Sequence, residues 1–369
     1  MGDIRAIDLG ILPGLDIITS GPPCPPWAGN GVRKGSDDAR AKVFEQVLRW
    51  IVHMGTLDDN QKLKIVIIEN VGGCMKNCNG QRPFMLIAKE ELAKHMPHFV
   101  FDIITLQLSD YSIPHIRERV LLRGLNKSIA NYIAPPLKPF GKGDLRNFLR
   151  RDLPASDRNE LNQNKLQNLR DHEFKVKCML KSKTLQDGDI AVFSIDRADE
   201  KAWKQRICVG AVPTLTCHNT WLWVCSTADM SMPPEQREFS RFLDPRERLA
   251  LHGLSPSLAS TLRPTELLVK ACGNSYAPQI IAAAVVPMLG QMAASGVKAG
   301  EEIMGSPPSA STNSFSLEEA LKKTKTEKRK ATKGKAPMKG KAKKSKATKS
   351  KAPMKGKAKS KAKGKAKKQ

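Results

Sequence analysis

The first stretch whose residue types suit chemistry is a cysteine framed by prolines, Gly21-Pro22-Pro23-Cys24-Pro25-Pro26-Trp27. Proline on both sides excludes helix and stiffens the backbone, so the thiol is held in a fixed place. The preceding Leu15-Asp16-Ile17-Ile18-Thr19 reads as a short buried strand. Cys24 then lies just past a strand's C-terminal end, the edge where open α/β sheets carry out their reactions. A thiolate there is a candidate nucleophile if its pKa is lowered or its target is protonated. A structural cysteine in a proline-rich turn fits the same loop. A second apolar run, Leu63 to Ile68, ends in Glu69-Asn70-Val71-Gly72-Gly73. It predicts a buried parallel strand whose terminal carboxylate faces the same cleft as the cysteine. Further on, Ser112-Ile113-Pro114-His115-Ile116-Arg117-Glu118-Arg119 leads into Val120-Leu121-Leu122. If that segment is extended, Arg117 and Arg119 point to one face.

Elements able to position these groups are readable around them. Val43, Phe44, Val47, Leu48, Ile51 and Val52 have helical spacing over residues 41–55, and a further helix is predicted from about 82 to 95 and a strand over 99–108. Strands alternating with helices predict a doubly wound α/β sheet. Gly29-Asn30-Gly31 and the polar residues up to Arg40 predict a loop able to close over a ligand. From about 125 to 235 the periodicity weakens, with short β-like pieces at Ile190–Phe193 and Trp221–Val224, so a smaller domain of mixed strands and loops is expected. Arg241–Gly253 reads as a helix with Asp244 as cap and Pro245 in its first position. Gly273-Asn274-Ser275 then precedes an apolar helix, Ile280–Leu289, expected to pack back on the sheet. The expected divisions are 1–124, 125–235 and 236–295, with a Gly/Pro/Ser-rich linker over 296–321 and a tail over 322–369.

The chain has 369 residues and a formal charge of +26. Residues 322–369 hold 23 Lys and Arg against one acid, Glu327, so +22 belongs to the tail and +4 to residues 1–321. Ala331–Lys341 recurs from Ala347 with Ser350 in place of Gly334. A Lys/Ala/Gly segment without apolar bulk cannot form a core and is expected to be disordered. Such a tail binds nucleic-acid phosphates without sequence preference, and Lys328-Arg329-Lys330 resembles a nuclear-import cluster, so the nucleus is the expected location. A merely solubilising tail has the same composition. The 8 cysteines are scattered, and Cys74 and Cys78 lack a second matching pair, so reduced thiols and no metal site are expected. No apolar run is expected to span a membrane.

Four features in this order resemble the DNA (cytosine-5)-methyltransferase family: Gly-Pro-Pro-Cys at 21–24, Glu-Asn-Val at 69–71, Arg-x-Arg at 117–119 after Ile113-Pro114, and Gly-Asn-Ser at 273–275. Each is weak alone; together they cover roughly residues 1–290. The resemblance implies an S-adenosylmethionine-dependent, Rossmann-like fold, with a target-recognition domain over 125–235 and a scaffold segment from Asp244 to Gly253. It implies methyl transfer from S-adenosylmethionine to carbon 5 of a cytosine flipped out of DNA. By that resemblance Cys24 would add to carbon 6, Glu69 would bond the ring nitrogen 3 and amino group, Arg119 would meet the carbonyl oxygen, and Arg117 would organise the loop and phosphate contacts. Asp3, Ile4, Pro23, Asn274 and Ser275 are the implied cofactor contacts.

The pattern departs from the family at three places. Pro25 stands where glutamine is usual, and His115 replaces the usual glutamine before Arg-x-Arg. The opening strand with its Phe-x-Gly-x-Gly loop and the acidic residue for the ribose do not occur in this sequence. A sheet lacking its first strand is therefore expected, from an N-terminally incomplete sequence or a degenerate copy. The second functional possibility is a catalytically inactive, methyltransferase-like DNA- or chromatin-binding protein.

Overall fold

A computed structural model of the chain describes residues 3–7, 14–28, 34–57, 63–78, 80–196, 207–216, 221–261 and 265–296. The Gly29–Gly31 loop, the linker beyond 296 and the Lys-rich tail with its Lys328–Lys330 cluster lie outside the described residues.

The first half folds as expected from its periodicity. In chain order come β1 (Ile17–Ser20), α1 (Ala41–Gly55), β2 (Ile65–Asn70), α2 (Phe84–His95), β3 (Phe99–Gln107) and β4 (Glu118–Asn126). The strands form one sheet in the order β1-β2-β4-β3. β1 and β2 are parallel, joined through α1, while β4 runs against both β2 and β3. β1 is an edge strand, with β2 as its one partner among the described residues. Alternation along the strands divides the core in two. Val66 and Ile68 of β2 and Val120 and Leu122 of β4 pack with α1 and α2. Ile65 and Ile67 with Leu121 and Leu125 face α6 (Pro278–Ala294), which supplies Ile280, Ala283, Ala284 and Met288. Helices thus cover both faces, as a doubly wound sheet requires.

The region after β4 is more ordered than its sequence pattern predicts. A 19-residue helix, α3 (Gln163–Lys181), opens it, capped by the Asn162 side chain accepting from the Lys165 N–H at 2.9 Å. β5 (Ile190–Ser194), β6 (Cys208–Val209), β7 (Leu222–Ser226) and β8 (Ser240–Phe242) form an antiparallel sheet in the order β6-β5-β7-β8. Leu169 and Val176 of α3 pack on Phe193, Trp223 and Cys225 of that sheet.

Two boundaries and one expectation about apolar length differ from the sequence reading. The helix predicted over Arg241–Gly253 is only α4 (Pro245–Ala250), because Arg241 pairs with Val224 inside β8. Gly273 and Asn274 end a helix, α5 (Thr265–Asn274), instead of standing in a free loop before one. Thr265–Ala294 is also long and apolar enough, by length and composition, to cross a membrane, contrary to the expectation that no run would be. The stretch is broken after Asn274 into α5 and α6, and α6 buries its apolar face against the sheet.

At α4 the expected cap is present: Asp244 accepts from the Arg246 N–H, Pro245 follows, and Glu247 accepts from the Asp244 N–H at 2.8 Å. Glu247 is also fully buried, taking Arg241 at 2.7 and 2.9 Å and the Arg150 N–H at 2.6 Å. Glu247→Ala strands a buried guanidinium, so it should cost about 3–5 kcal/mol, read from the denaturant midpoint; a change below about 1 kcal/mol would contradict this role.

Candidate active site

Two loops at the C-terminal ends of β1 and β2 build the site. The Cys24 loop is anchored by Trp27, 3% exposed, whose ring meets Phe44 at 5.6 Å and Phe84 at 4.6 Å. The N–H groups of Trp27 and Ala28 both donate to the Cys24 carbonyl at 2.9 Å, closing a tight turn that holds the thiol half-buried. Asn70, on the α1 side of β2, donates from Nδ2 to the Pro22 carbonyl at 3.1 Å and ties the loops together. Gly73 completes the join: a Cβ there would stand 1.9 Å from the Trp27 carbonyl oxygen, so only glycine allows this approach.

Glu69 lies within β2, one residue before its end, because it pairs with Leu121 of β4. Its parity puts it on the face of Ile65 and Ile67, with Arg119 beside it. The Arg119 Nε sits 2.6 Å from Glu69 Oε1. Burial pushes the Glu69 carboxyl above the usual carboxylate range, and the guanidinium groups of Arg119 and then Arg117 oppose that rise. Burial likewise raises the Cys24 thiol, with Arg119 opposing, Glu69 adding to the rise and Arg117 opposing less. The thiol, the carboxyl and both arginines therefore occupy one electrostatic neighbourhood.

Arg117 faces inward, 1% exposed, and donates to the carbonyls of Leu215 at 3.1 Å and Ser275 at 2.7 Å. Burial, with Arg119's charge adding, lowers its pKa to about 9. It joins the segment that follows β6 in the smaller sheet to the turn between α5 and α6, so loop organisation is the role its contacts support. His115 is buried against the same segment. Its Nε2 accepts from the Leu215 N–H at 3.0 Å, so Nδ1 carries the proton and donates to the Leu251 carbonyl at 2.9 Å. Burial, then Arg117 and His252, hold it well below the usual imidazole value, which keeps that neutral tautomer. Ile116 N–H donates to Val212 O at 2.9 Å and Val212 N–H to Pro114 O at 2.7 Å, so this loop and residues 212–215 form one unit.

The chain's match to the family model described as "C-5 cytosine-specific DNA methylase" covers residues 1–287. The chain belongs to that family. It is 28% identical to the type II methyltransferase M.FnuDI of Fusobacterium nucleatum over 210 residues, 55% of this chain and 54% of that protein. It is also 28% identical to M.HhaI of Haemophilus parahaemolyticus over 151 residues, 40% of this chain and 41% of that one. The chain thus spans about half the length, or less, of these curated relatives. Among solved structures, it is similar to a Spodoptera frugiperda DNMT2 mutant at 16% identity and TM-score 0.46, covering 75% of this chain and 80% of that one. The Entamoeba histolytica methyltransferase EhMeth is similar at 16% identity and TM-score 0.45, over 77% of this chain and 82% of that one.

The remaining expected contacts of this methylase family member lie as follows. Asp3 caps a single 3₁₀ turn and pairs with Arg5, whose side chain and backbone N–H hold its carboxyl down at about 2. Ile4 packs on the α1 core and Pro23 is half-buried beside Cys24. Asn274 is exposed, whereas the Ser275 hydroxyl is 2.8 Å from His252 Nε2. His252, which burial lowers to about 3, is neutral there. Cys74 is buried and donates to Val71 O at 2.9 Å, and burial lifts its thiol to about 12. Among the described residues no group of three His, Cys, Asp or Glu side chains could hold a metal. The loop-anchoring roles of Asn70, Trp27 and Gly73 go beyond the sequence expectations; two adjacent glycines after a buried strand are the signal of a close backbone approach there.

Since the Cys24 thiol is raised, its thiolate appears at higher pH than that of a free cysteine. Alkylation of Cys24 by iodoacetamide should grow about tenfold per pH unit up to a midpoint above the ordinary thiol value. Arg119→Ala should move that midpoint higher. Peptide mass spectrometry across a pH series reads both, and a midpoint below the free-thiol value would contradict a thiol raised by burial.

Proposed function

We propose that the chain transfers a methyl group to carbon 5 of cytosine in DNA, with Cys24 as covalent nucleophile. The observation that carries this reading is the grouping of the Cys24 thiol, the Glu69 carboxyl and the Arg119 guanidinium at one end of the sheet, Arg119 being 2.6 Å from Glu69. Carbon 5 of cytosine is too aromatic to be methylated directly. The Cys24 thiol gives up its proton as its sulfur bonds carbon 6, which opens the ring's conjugation and makes carbon 5 nucleophilic; once carbon 5 is methylated its proton leaves and the carbon 6–sulfur bond breaks, restoring the ring and freeing Cys24. Glu69 hydrogen-bonds nitrogen 3 and the amino group, where charge develops, and its raised pKa favours holding a proton there. Arg119 orients Glu69 and meets the base's carbonyl oxygen. The base reaches this half-buried thiol only after leaving the duplex stack.

S-adenosylmethionine supplies the methyl group as a sulfonium substituent. The residues present fit that group in part. The Asn274 amide is exposed and has no hydrogen-bond partner among the described residues, and Pro23 and Ile4 offer apolar surface. The Ser275 hydroxyl is engaged by His252, so Ser275 would contribute through its backbone. Methyl-labelled S-adenosylmethionine and unmethylated duplex DNA test the reading: label should be recovered in 5-methyldeoxycytidine, and DNA without label would overturn it.

The Lys-rich segment supplies non-specific DNA affinity under the same reading. Removing residues 322–369 takes away +22 of the charge. Log affinity against log salt should then flatten by about 0.9 for each phosphate that the tail had neutralised. An unchanged slope in a salt titration would refute that role.

A further inference from the structure

The turn between α5 and α6 carries a tyrosine that none of the roles above uses. Tyr276 is half-buried, and its ring lies over Gly21, the first residue of the Cys24 loop. A Cβ on Gly21 would stand 2.5 Å from Tyr276 Cε1, 2.7 Å from its hydroxyl oxygen and 2.9 Å from Cζ, so a side chain there would have to displace the ring. The backbone that aims this ring is fixed on both sides. Arg117 Nη2 donates to the Ser275 carbonyl at 2.7 Å, and the Ser275 hydroxyl meets His252 Nε2 at 2.8 Å. Ala277 is buried in the α6 core and starts the helix. With the stem held at Ser275 and Ala277, the ring leaves Gly21 only by a change of its own rotamer. On the Cys24 side, Asn70 holds Pro22, the next residue after Gly21, by its carbonyl at 3.1 Å. The start of the nucleophile loop is therefore held by β2 through Asn70 and by the α5–α6 turn through Tyr276.

We propose that Tyr276 is a positioning residue of this site, a clamp whose ring seats on Gly21 and fixes the placement of the Cys24 loop. The inference rests on the reading of Cys24 as nucleophile for its purpose, but its geometry does not depend on that reading. Burial, with Glu69's charge adding, raises the Tyr276 phenol to about 12, so the ring stays neutral at the pH values used below. The ring and not the hydroxyl makes the seat, since Cε1 is the atom nearest to where a side chain on Gly21 would stand. Arg117 acquires a purpose from the same arrangement: it stiffens the turn that aims the clamp.

The test uses the full chain and reads the alkylation rate of Cys24 by iodoacetamide at fixed pH, which needs neither methyl donor nor DNA. Tyr276→Ala and Gly21→Ala, the first removing the ring and the second displacing it, should each speed alkylation by roughly tenfold as the thiol is released. Tyr276→Phe, which keeps the ring, should stay within about twofold of the wild type. The Gly21→Ala/Tyr276→Ala pair should be no faster than Tyr276→Ala alone, because the clash is gone with the ring. In methyl transfer, Tyr276→Ala should lower kcat while the KM for DNA moves by less than about threefold. Wild-type alkylation rates in both alanine variants would overturn the clamp, as would additive effects in the pair. An inactive wild type would count against the methyl-transfer reading alone and leave the alkylation result to decide the clamp.

Discussion

Cys24→Ala should reduce methyl transfer to DNA cytosine by about 10⁴-fold or more, the scale seen when a covalent nucleophile is removed. Cys74, whose thiol feels the charges of Cys24 and Glu69, cannot replace it. Cys74 is buried, donates to the Val71 carbonyl, and has its thiol raised to about 12. The substitution should leave the fold intact, because Trp27 and Asn70, not the thiol, anchor the loop. Duplex DNA carrying 5-fluorocytosine gives the decisive readout. Fluorine at carbon 5 cannot leave as the proton does, so the wild type with S-adenosylmethionine should stall as a covalent protein–DNA complex that survives denaturing electrophoresis. Cys24→Ala should form none. A stable complex with the alanine variant would remove Cys24 from the mechanism. A variant that forms none but methylates normal DNA at the wild-type rate would do the same.

The parts of this arrangement that the sequence displays are those where residue type and backbone constraint coincide. Prolines around Cys24 exclude everything but a stiff loop, and β2 is apolar on both faces because helices cover both. α3 is hidden for a physical reason. Its inner face spends two positions on His172 and Glu173, which a periodicity reading counts as polar. Glu173 is buried only because Arg158, at 2.7 and 3.0 Å, and Arg237, at 3.1 Å, neutralise it. His172 stacks on Phe193 at 5.0 Å. All those partners are remote in sequence, so no local window reveals that the two polar residues belong to a core. Gly273-Asn274 misleads in the opposite sense: its composition says loop, but the α5 packing of Leu268, Val269 and Cys272 carries the helix through it. His115 departs from the family pattern, and its two hydrogen bonds, from Leu215 and to Leu251, depend on partners 100 and 136 residues away.

Glu69→Gln separates chemistry from stability in a way that a structural carboxylate would not. The amide keeps the size of the side chain and still offers Arg119 an acceptor oxygen, whereas alanine would strand that buried guanidinium. It cannot hold or release a proton, so methyl transfer should fall by about 10²–10⁴-fold, the range of general acid–base assistance. Stability should move the other way. Burial raises the Glu69 carboxyl in the folded chain despite Arg119. A carboxyl raised on folding favours the native state below its unfolded pKa, and that contribution is lost as pH rises through the folded value. Above the folded value the wild type has lost it, while glutamine has no charge to desolvate. In a pH series, Glu69→Gln should therefore unfold at a denaturant concentration no lower than the wild type once the pH exceeds the folded value, and the comparison should turn toward the wild type as the solution is acidified below the carboxylate range. Covalent trapping by 5-fluorocytosine DNA should slow in step with methyl transfer, because the same carboxyl assists the addition that forms the adduct. Full activity in the glutamine variant would dismiss the catalytic role. A large drop in stability together with the drop in rate would make Glu69 a structural partner of Arg119, held in the site for packing and not for proton transfer.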